Sequence, residues 1–304
     1  MMKKNRTLKT VKKHYALYLM LVLPALYFII FKYVPMIGTL LAFRKYTVVC
    51  PFLGEKWMGL HYFKLFLSEP NFYNILKNTV ILSIEVLCIS FPIPIVFALL
   101  LNELRYNKFK KVVQTVSYLP HFISIVVVVG FASQILSPTN GILNMVRVKM
   151  GMETINYMAK PECFRPIYII TDIWQNMGWN AIMYIAALSG VDIQLYEAAK
   201  VDGAGKFQQM LNVTIPGIMP TIVITFILAV GNMLSIGYEK VLLLMNSLNR
   251  DTADVIGTYV YRRGIVDGSY SYSTAVSLFM SVISLFLITI TNKISAKVTE
   301  ESLW

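Results

Sequence analysis

Six stretches of this chain stay apolar for about twenty residues each, and that restricts its fold more than any other feature of the sequence. They fall at roughly 15–31, 79–101, 116–136, 166–189, 219–237 and 273–292. About twenty residues, at 1.5 Å per residue, is what a helix needs to cross ~30 Å of hydrocarbon. In lipid, every backbone N–H and C=O must be satisfied inside the segment, so blocks of this length are helices. The expectation is an all-α integral membrane protein with six transmembrane helices. Composition decides against a large soluble core: 56% of residues are hydrophobic and 14% charged, against ~45–50% and ~25% in soluble domains.

The first block follows Lys3, Lys4, Arg6, Lys9, Lys12 and Lys13 and continues into Lys32-Tyr33-Val34-Pro35 without a small-residue cleavage site. That reads as a retained anchor helix rather than a signal peptide. With both termini inside, the tightest cation clusters face the cytoplasm: the N-terminal run, and Arg105, Lys108, Lys110 and Lys111. The positive-inside rule favours that N-in/C-in arrangement. Residues 1–14 are then a basic cytoplasmic N-terminus and 15–304 a single transmembrane domain. The net charge of +12 sits beside the apolar blocks, where anionic lipid attracts it. No basic stripe interleaved with aromatics points to nucleic acid. Cys50, Cys88 and Cys163 are scattered, as are His14, His61 and His121, so neither a disulfide framework nor a metal site is expected. The outer segment 32–78 is rich in aromatics: Tyr33, Phe43, Tyr46, Phe52, Trp57, Tyr62, Phe63 and Phe66. Such residues mark a membrane-interface belt or a surface for an external partner.

Between the fourth and fifth blocks the chain is too long and too helical for a plain connection. Asp192 can cap a short helix through Lys200, and Gly203 permits a turn with positive φ. A second helical stretch, about 204–213, should be stopped by Pro216, which lacks an N–H and restricts Ile215. The product is a helix–turn–helix elbow at the inner face. Ala198, Ala199 and Ala204 keep it thin enough for another surface to approach, and Glu197 offers a charge to a basic partner.

Glu197-Ala198-Ala199, then Asp202-Gly203-Ala204, then Thr214, Pro216 and Pro220 resemble the EAA loop of binding-protein-dependent ABC importer permeases. The family pattern is roughly E-A-A-x-x-D-G-A, eight variable residues, then I-T-L-P-x-x-x-P. Val213 and Ile215 stand where Ile and Leu are usual, and Met210 where Phe is common. Trp174-Gln-Asn-Met-Gly-Trp179 with Tyr184-Ile-Ala-Ala-Leu188 is similar to the approach to this loop in carbohydrate permeases. Leu23-Pro24, Phe31-Lys-Tyr-Val-Pro-Met36, Asp254-Val-Ile-Gly-Thr-Tyr-Val-Tyr-Arg-Arg-Gly264 and Tyr270-Ser-Tyr-Ser-Thr-Ala275 resemble the LplB-type oligosaccharide/polysaccharide subfamily.

The resemblance implies a type I ABC importer permease with a MetI-like core over about 75–295 and a coupling loop over 190–217, in a bacterial cytoplasmic membrane. It further implies half of a pore, completed by a second permease in a pseudo-two-fold heterodimer, with a cytoplasmic ABC ATPase dimer and an extracellular solute-binding protein as partners. Glu197, Ala198, Ala199, Asp202, Gly203 and Pro216 would form the ATPase-coupling surface. The cargo would be an oligosaccharide or complex glycan. No cofactor is expected in this chain: a P-loop needs Gly five residues before Gly-Lys and Ser/Thr after it, and around Gly205-Lys206 those positions are Lys200 and Phe207. ATP and Mg would bind the partner ATPase, and the chain itself would not be an enzyme.

Two acids, Glu85 and Asp172, fall inside apolar blocks, where a charge marks a pathway or a paired contact. For a sugar path the resemblance points to spans four to six. Trp174, Gln175, Asn176, Trp179, Asn180, Tyr184, Asn232 and Tyr238 lie there, with aromatic faces for stacking and amides for hydroxyls. The alternative is an ion-coupled secondary transporter using Glu85 and Asp172, but the elbow has no task in it and no internal repeat is visible. A membrane enzyme would need paired acids or a nucleophile motif, and neither appears.

Overall fold

The computed structural model describes residues 13–50, 53–235 and 237–304. Among them there is no β-strand, and β pairing is confined to two isolated bridges, Arg44 to Trp57 and Thr47 to Cys50. The principal helices are α1 (Tyr15–Ala42), α2 (Phe72–Asn102), α3 (Asn107–Phe122), α4 (Ile125–Ile135), α5 (Pro161–Ser189), α6 (Ile193–Val201), α7 (Lys206–Asn232), α8 (Tyr238–Leu244) and α9 (Tyr270–Val298). Four of them, α1, α2, α7 and α9, are each long and apolar enough to cross a membrane. At 29 residues α5 has the length as well. Asp172, Gln175, Asn176 and Asn180 make it too polar to be counted with them.

The third expected span, 116–136, is not one helix. α3 and α4 meet at a bend of 101°. Pro120 cannot donate to the helical ladder, and Ile123 and Ser124 are extended, with ψ of 134° and 147°. The pair supplies a fifth span if the bend is counted as part of one crossing.

Prolines shape the other long helices differently from expectation. Three π-turns, Ile29–Tyr33, Val86–Ser90 and Met210–Thr214, end two residues before Pro35, Pro92 and Pro216. In an α-helix a proline ring collides with the carbonyl four residues back. Those carbonyls belong to Phe31, Cys88 and Asn212, each inside a widened turn that gives the ring room. Pro216 therefore does not stop its helix. Ile215 keeps helical angles, φ −64° and ψ −48°, and α7 runs through to Asn232. The fifth block expected at 219–237 thus begins at Lys206 and ends five residues early.

The described chain forms two compact units, one reaching Glu69 and including Arg262–Phe279, the other Pro70–Tyr261 with Met280–Trp304. In the first, the aromatics of the outer segment pack on one another. Phe43 stacks on Trp57 at 5.8 Å and meets Phe63 at 5.4 Å, and Phe66 is fully buried against Tyr272 and Phe279. In the second, Ala98 and Leu99 of α2, Ala181, Tyr184 and Leu188 of α5, and Ile218 of α7 share one buried cluster. Lipid tails are as apolar as leucine, so such helices associate through small residues that let backbones approach. Gly178 of α5 is the extreme case: a Cβ there would overlap the backbone carbonyl of Ser117 in α3.

Candidate functional site

The elbow begins where Asp192 Oδ1 accepts a hydrogen bond from the Gln194 N–H at 2.9 Å, capping α6. After Val201 the chain turns at Gly203, whose φ of +77° costs other residues ~1–2 kcal/mol. Gln208 Oε1 accepts from the Gly205 N–H at 2.9 Å to open α7, and the Gln209 amide donates to the Ala204 carbonyl at 2.7 Å. Tyr196 Oη donates to Thr214 Oγ1 at 3.0 Å, joining α6 to the π-turn of α7. Lys206 Nζ reaches Glu103 Oε2 at 2.6 Å, just beyond the end of α2.

Glu197, Ala198, Ala199, Asp202 and Gly203 come together on this one feature, and Pro216 follows on α7. No residue of α6 is buried. Ile193, Val201 and Phe207 are 71%, 88% and 68% exposed, an apolar surface of the kind that marks a partner's footprint.

The polar face of α5 lines a cavity of about 280 Å³. Asp172, Asn176 and Asn180 recur every four residues, the spacing of one helix face. Asn232 joins them from α7, and Ser83 and Ser90 from α2. Asn176 Nδ2 donates to Asp172 Oδ1 at 3.0 Å. His121 Nδ1 lies 3.1 Å from Asn176 Oδ1, and because an amide oxygen can only accept, the imidazole is the donor. Asp172 Oδ1 also faces Lys240 Nζ of α8 at 3.7 Å, beyond hydrogen-bond range. Lys240 is 2% exposed, its ammonium stands 4.8 Å from the centre of the Tyr168 ring, and its Nζ makes no hydrogen bond among the described residues. Burial lowers its pKa to about 8, with Asp172 pulling the other way. The second acid is paired too: Glu85 Oε1 stands 3.8 Å from Arg165 Nη1, and Arg165 Nη2 donates to Asn78 Oδ1 at 3.4 Å.

The residues singled out for a sugar path separate accordingly. Asp172, Asn176, Asn180 and Asn232 line the cavity. Gln175 is buried and donates to the Ile123 carbonyl at 3.0 Å, satisfying backbone at the α3–α4 bend. Trp179 stacks on His121 at 4.5 Å and meets Phe122 edge-on. Tyr184 is buried and shares a 2.9 Å hydrogen bond with Thr225. Tyr238 stacks on Tyr261 at 5.7 Å, and Trp174 and Glu85 lie outside the cavity lining. Sequence reasoning did not pick out Arg165, Lys240, Ser83 or Ser90. The signal for the two cations was available: an acid within an apolar block demands a partner, and Arg165 and Lys240 flank the ends of the fourth and fifth blocks.

Comparison with known proteins agrees with this architecture. The family described as "Binding-protein-dependent transport system inner membrane component" matches residues 90–300. The chain is 44% identical to the polygalacturonan/rhamnogalacturonan transport system permease protein YteP of Bacillus subtilis (strain 168), over 99% of this chain and 94% of that protein. It is 43% identical to protein LplB of the same organism, over 95% of this chain and 91% of that one. A chain from the crystal structure of a bacterial ABC transporter involved in import of the acidic polysaccharide alginate is 38% identical. It covers 97% of this chain and 99% of its own length with a TM-score of 0.89. A second structure, of the bacterial alginate ABC transporter in complex with alginate pentasaccharide-bound periplasmic protein, matches at 37% identity, 97% and 99% coverage and the same TM-score. The fold is thus the MetI-like permease fold of a multi-pass membrane protein, and the chain belongs to the family of binding-protein-dependent transport system inner membrane components.

Proposed function

We propose that this chain forms one half of the pore of an ATP-driven importer that takes up an acidic oligosaccharide delivered by an extracellular binding protein. The observation that carries this reading is the elbow, a capped turn that exposes Ile193, Val201 and Phe207 beside Glu197, Ala198 and Gly203. A partner ATPase seats the elbow, and closure of two such ATPases around ATP and Mg moves two elbows together. In this reading the chain crosses six times with both termini inside, α5 and the bent α3–α4 pair among the crossings, and the elbow faces the cytoplasm. Energy comes from the partner because no P-loop is present in this chain, and a second permease completes the pore.

Two similar proteins, by their names, handle polygalacturonan/rhamnogalacturonan and alginate, which are acidic polysaccharides. That supports an acidic glycan as cargo. Asn176, Asn180 and Asn232 contact it as it passes, their amides supplying paired donors and acceptors for sugar hydroxyls, and the Asp172 carboxylate adds an acceptor. Gln175, Trp179 and Tyr184 hold α5 in place, and Glu85 serves as the structural partner of Arg165.

The test is ATP hydrolysis by the complete purified complex in lipid, wild type against Glu197→Arg and Gly203→Pro. Stimulation by loaded binding protein, lost in both variants while all subunits still co-purify, is the expected result. Stimulation that survives both substitutions would remove the elbow from the coupling path.

A further inference from the structure

A second cavity, of about 410 Å³, lies wholly within the unit that holds the outer segment. Its size falls in the ~300–1,000 Å³ range of small-molecule sites. Tyr46, Tyr62, Tyr270 and Tyr272 line it together with Lys45, Glu69 and Arg263. One wall is built for rigidity. Lys45 exchanges hydrogen bonds with the opposite limb of a short turn, its N–H donating to the Lys56 carbonyl and its carbonyl accepting from the Glu55 N–H, both at 2.9 Å. The buried Ser271 hydroxyl accepts from the Tyr46 N–H and donates to the Arg44 carbonyl, both at 2.7 Å, clamping that turn to the start of α9. The Tyr46 and Tyr270 rings stand 4.7 Å apart. Across the cavity, Arg263 is held by Glu69 at 3.3 Å and by Asp267 at 3.5 Å.

These groups divide between two kinds of recognition. Tyrosine faces receive the C–H surface of a sugar ring, and the Glu69–Arg263 pair, already fixed, offers acceptors and donors to adjacent hydroxyls. Lys45 is different. It is exposed, and no carboxylate lies within ion-pair distance of it among the described residues. We propose that this cavity is a subsite for one carboxylate-bearing sugar unit of the glycan, with Lys45 receiving the carboxylate and Tyr46 and Tyr270 the ring. The proposal rests on the acidic-oligosaccharide reading above and assigns it a place outside the α5 cavity. Lys45, Tyr46, Tyr62 and Glu69 belong to the segment 32–78 that the sequence reading sets on the outer face, where a binding protein releases its cargo.

The probe is trigalacturonate, with α-1,4-galactotriose as the neutral counterpart, on the complete transporter in discs of phosphatidylcholine so that no anionic headgroup competes. Binding without ATP and uptake into vesicles are both measured for wild type, Lys45→Gln, Lys45→Arg and Tyr270→Ala. Loss of one carboxylate contact in Lys45→Gln should weaken trigalacturonate binding about three- to tenfold and raise the KM of uptake. Galactotriose binding and ATP turnover should stay unchanged, and Lys45→Arg should restore the affinity. Tyr270→Ala should weaken both sugars. Equal trigalacturonate affinity in wild type, Lys45→Gln and Tyr270→Ala, with uptake intact, overturns the subsite and leaves the import reading standing. A wild type that imports galactotriose but not trigalacturonate overturns the acidic-cargo reading and the subsite with it.

Discussion

The elbow is shaped by residues close together in sequence, whereas the α5 cavity is shaped by residues far apart. In the elbow, Asp192 caps two residues ahead, Gln208 three residues back, and Tyr196 reaches Thr214, eighteen residues away. At the cavity, His121 meets Asn176 across 55 residues and Asp172 finds its cation on α8, while Glu85, outside the lining, finds its own at the start of α5. The elbow is also exposed where the cavity partners are buried or half-buried. A feature held by several small local bonds loses little when one is removed. A buried pair loses a great deal, because the surviving charge has no water to turn to.

The sharpest break of that contrast is Asp172→Ala. It leaves Lys240 buried without a counter-charge, which costs ~3–5 kcal/mol in comparable pairs. Thermal unfolding of the detergent-purified complex should show a large drop, or the subunit should fail to assemble. Asp172→Ala with Lys240→Met should recover most of the loss, since an apolar replacement of both partners is near neutral. If the double variant is as unstable as the sum of the singles, the two residues are not coupled.

Gly178→Ala comes next. The added methyl meets the Ser117 carbonyl, a backbone atom that cannot rotate aside, so overpacking of ~1–3 kcal/mol is expected. Because α3 leads into the bend at His121, the same variant should also disturb the His121–Asn176 contact. Unfolding temperature reports the first effect and the environment of Trp179, by fluorescence, the second. An unshifted melting curve would mean that α3 stands off α5 in the assembled protein.

How much of this was legible follows from the same contrast. The apolar blocks announced α1, α2 and α9, because lipid imposes one solution on such runs. Asp192 and Gly203 announced the elbow, because capping and positive φ are properties of single residues. The helix ends were hidden. A proline reads as a stop, and nothing in the sequence shows that a π-turn two residues earlier will carry α7 through Pro216. On α5 the four-residue spacing of Asp172, Asn176 and Asn180 is that of one face, while Gln175, Trp179 and Tyr184, equally polar or aromatic, took other partners and Trp174 stays outside the cavity lining. Which helix meets which face is settled by packing between distant segments, so Lys240 could not be matched to Asp172 by inspection.

On the elbow the effects should be smaller and of another kind. Asp192→Ala removes the cap of α6 and costs ~1 kcal/mol locally. Since α6 buries nothing, global unfolding should barely move. The loss should appear as weaker stimulation of ATP hydrolysis by loaded binding protein, with Asp192→Asn, which also caps, close to wild type. A fall in unfolding temperature as large as that of Gly178→Ala would show that the elbow is packed into the body of the permease.

The smallest expected effect belongs to the elbow's most distant tie among the described residues, Lys206 to Glu103, 103 positions apart in sequence. Both side chains are largely exposed, 65% and 47%, so screening by water and salt should hold the pair to ~0.2–1 kcal/mol in a double-mutant cycle. Its length is short enough for a charge-assisted hydrogen bond, yet exposure decides its strength. The cycle Lys206→Ala, Glu103→Ala and both, read by unfolding at low and high salt, should give a coupling that fades as salt rises. The elbow moves in the proposed cycle, so a weak tie to the end of α2 suits it: it sets a resting position without resisting displacement. A coupling above ~2 kcal/mol that ignores salt would place this pair with Asp172 and Lys240 and make the elbow a fixed part of the bundle.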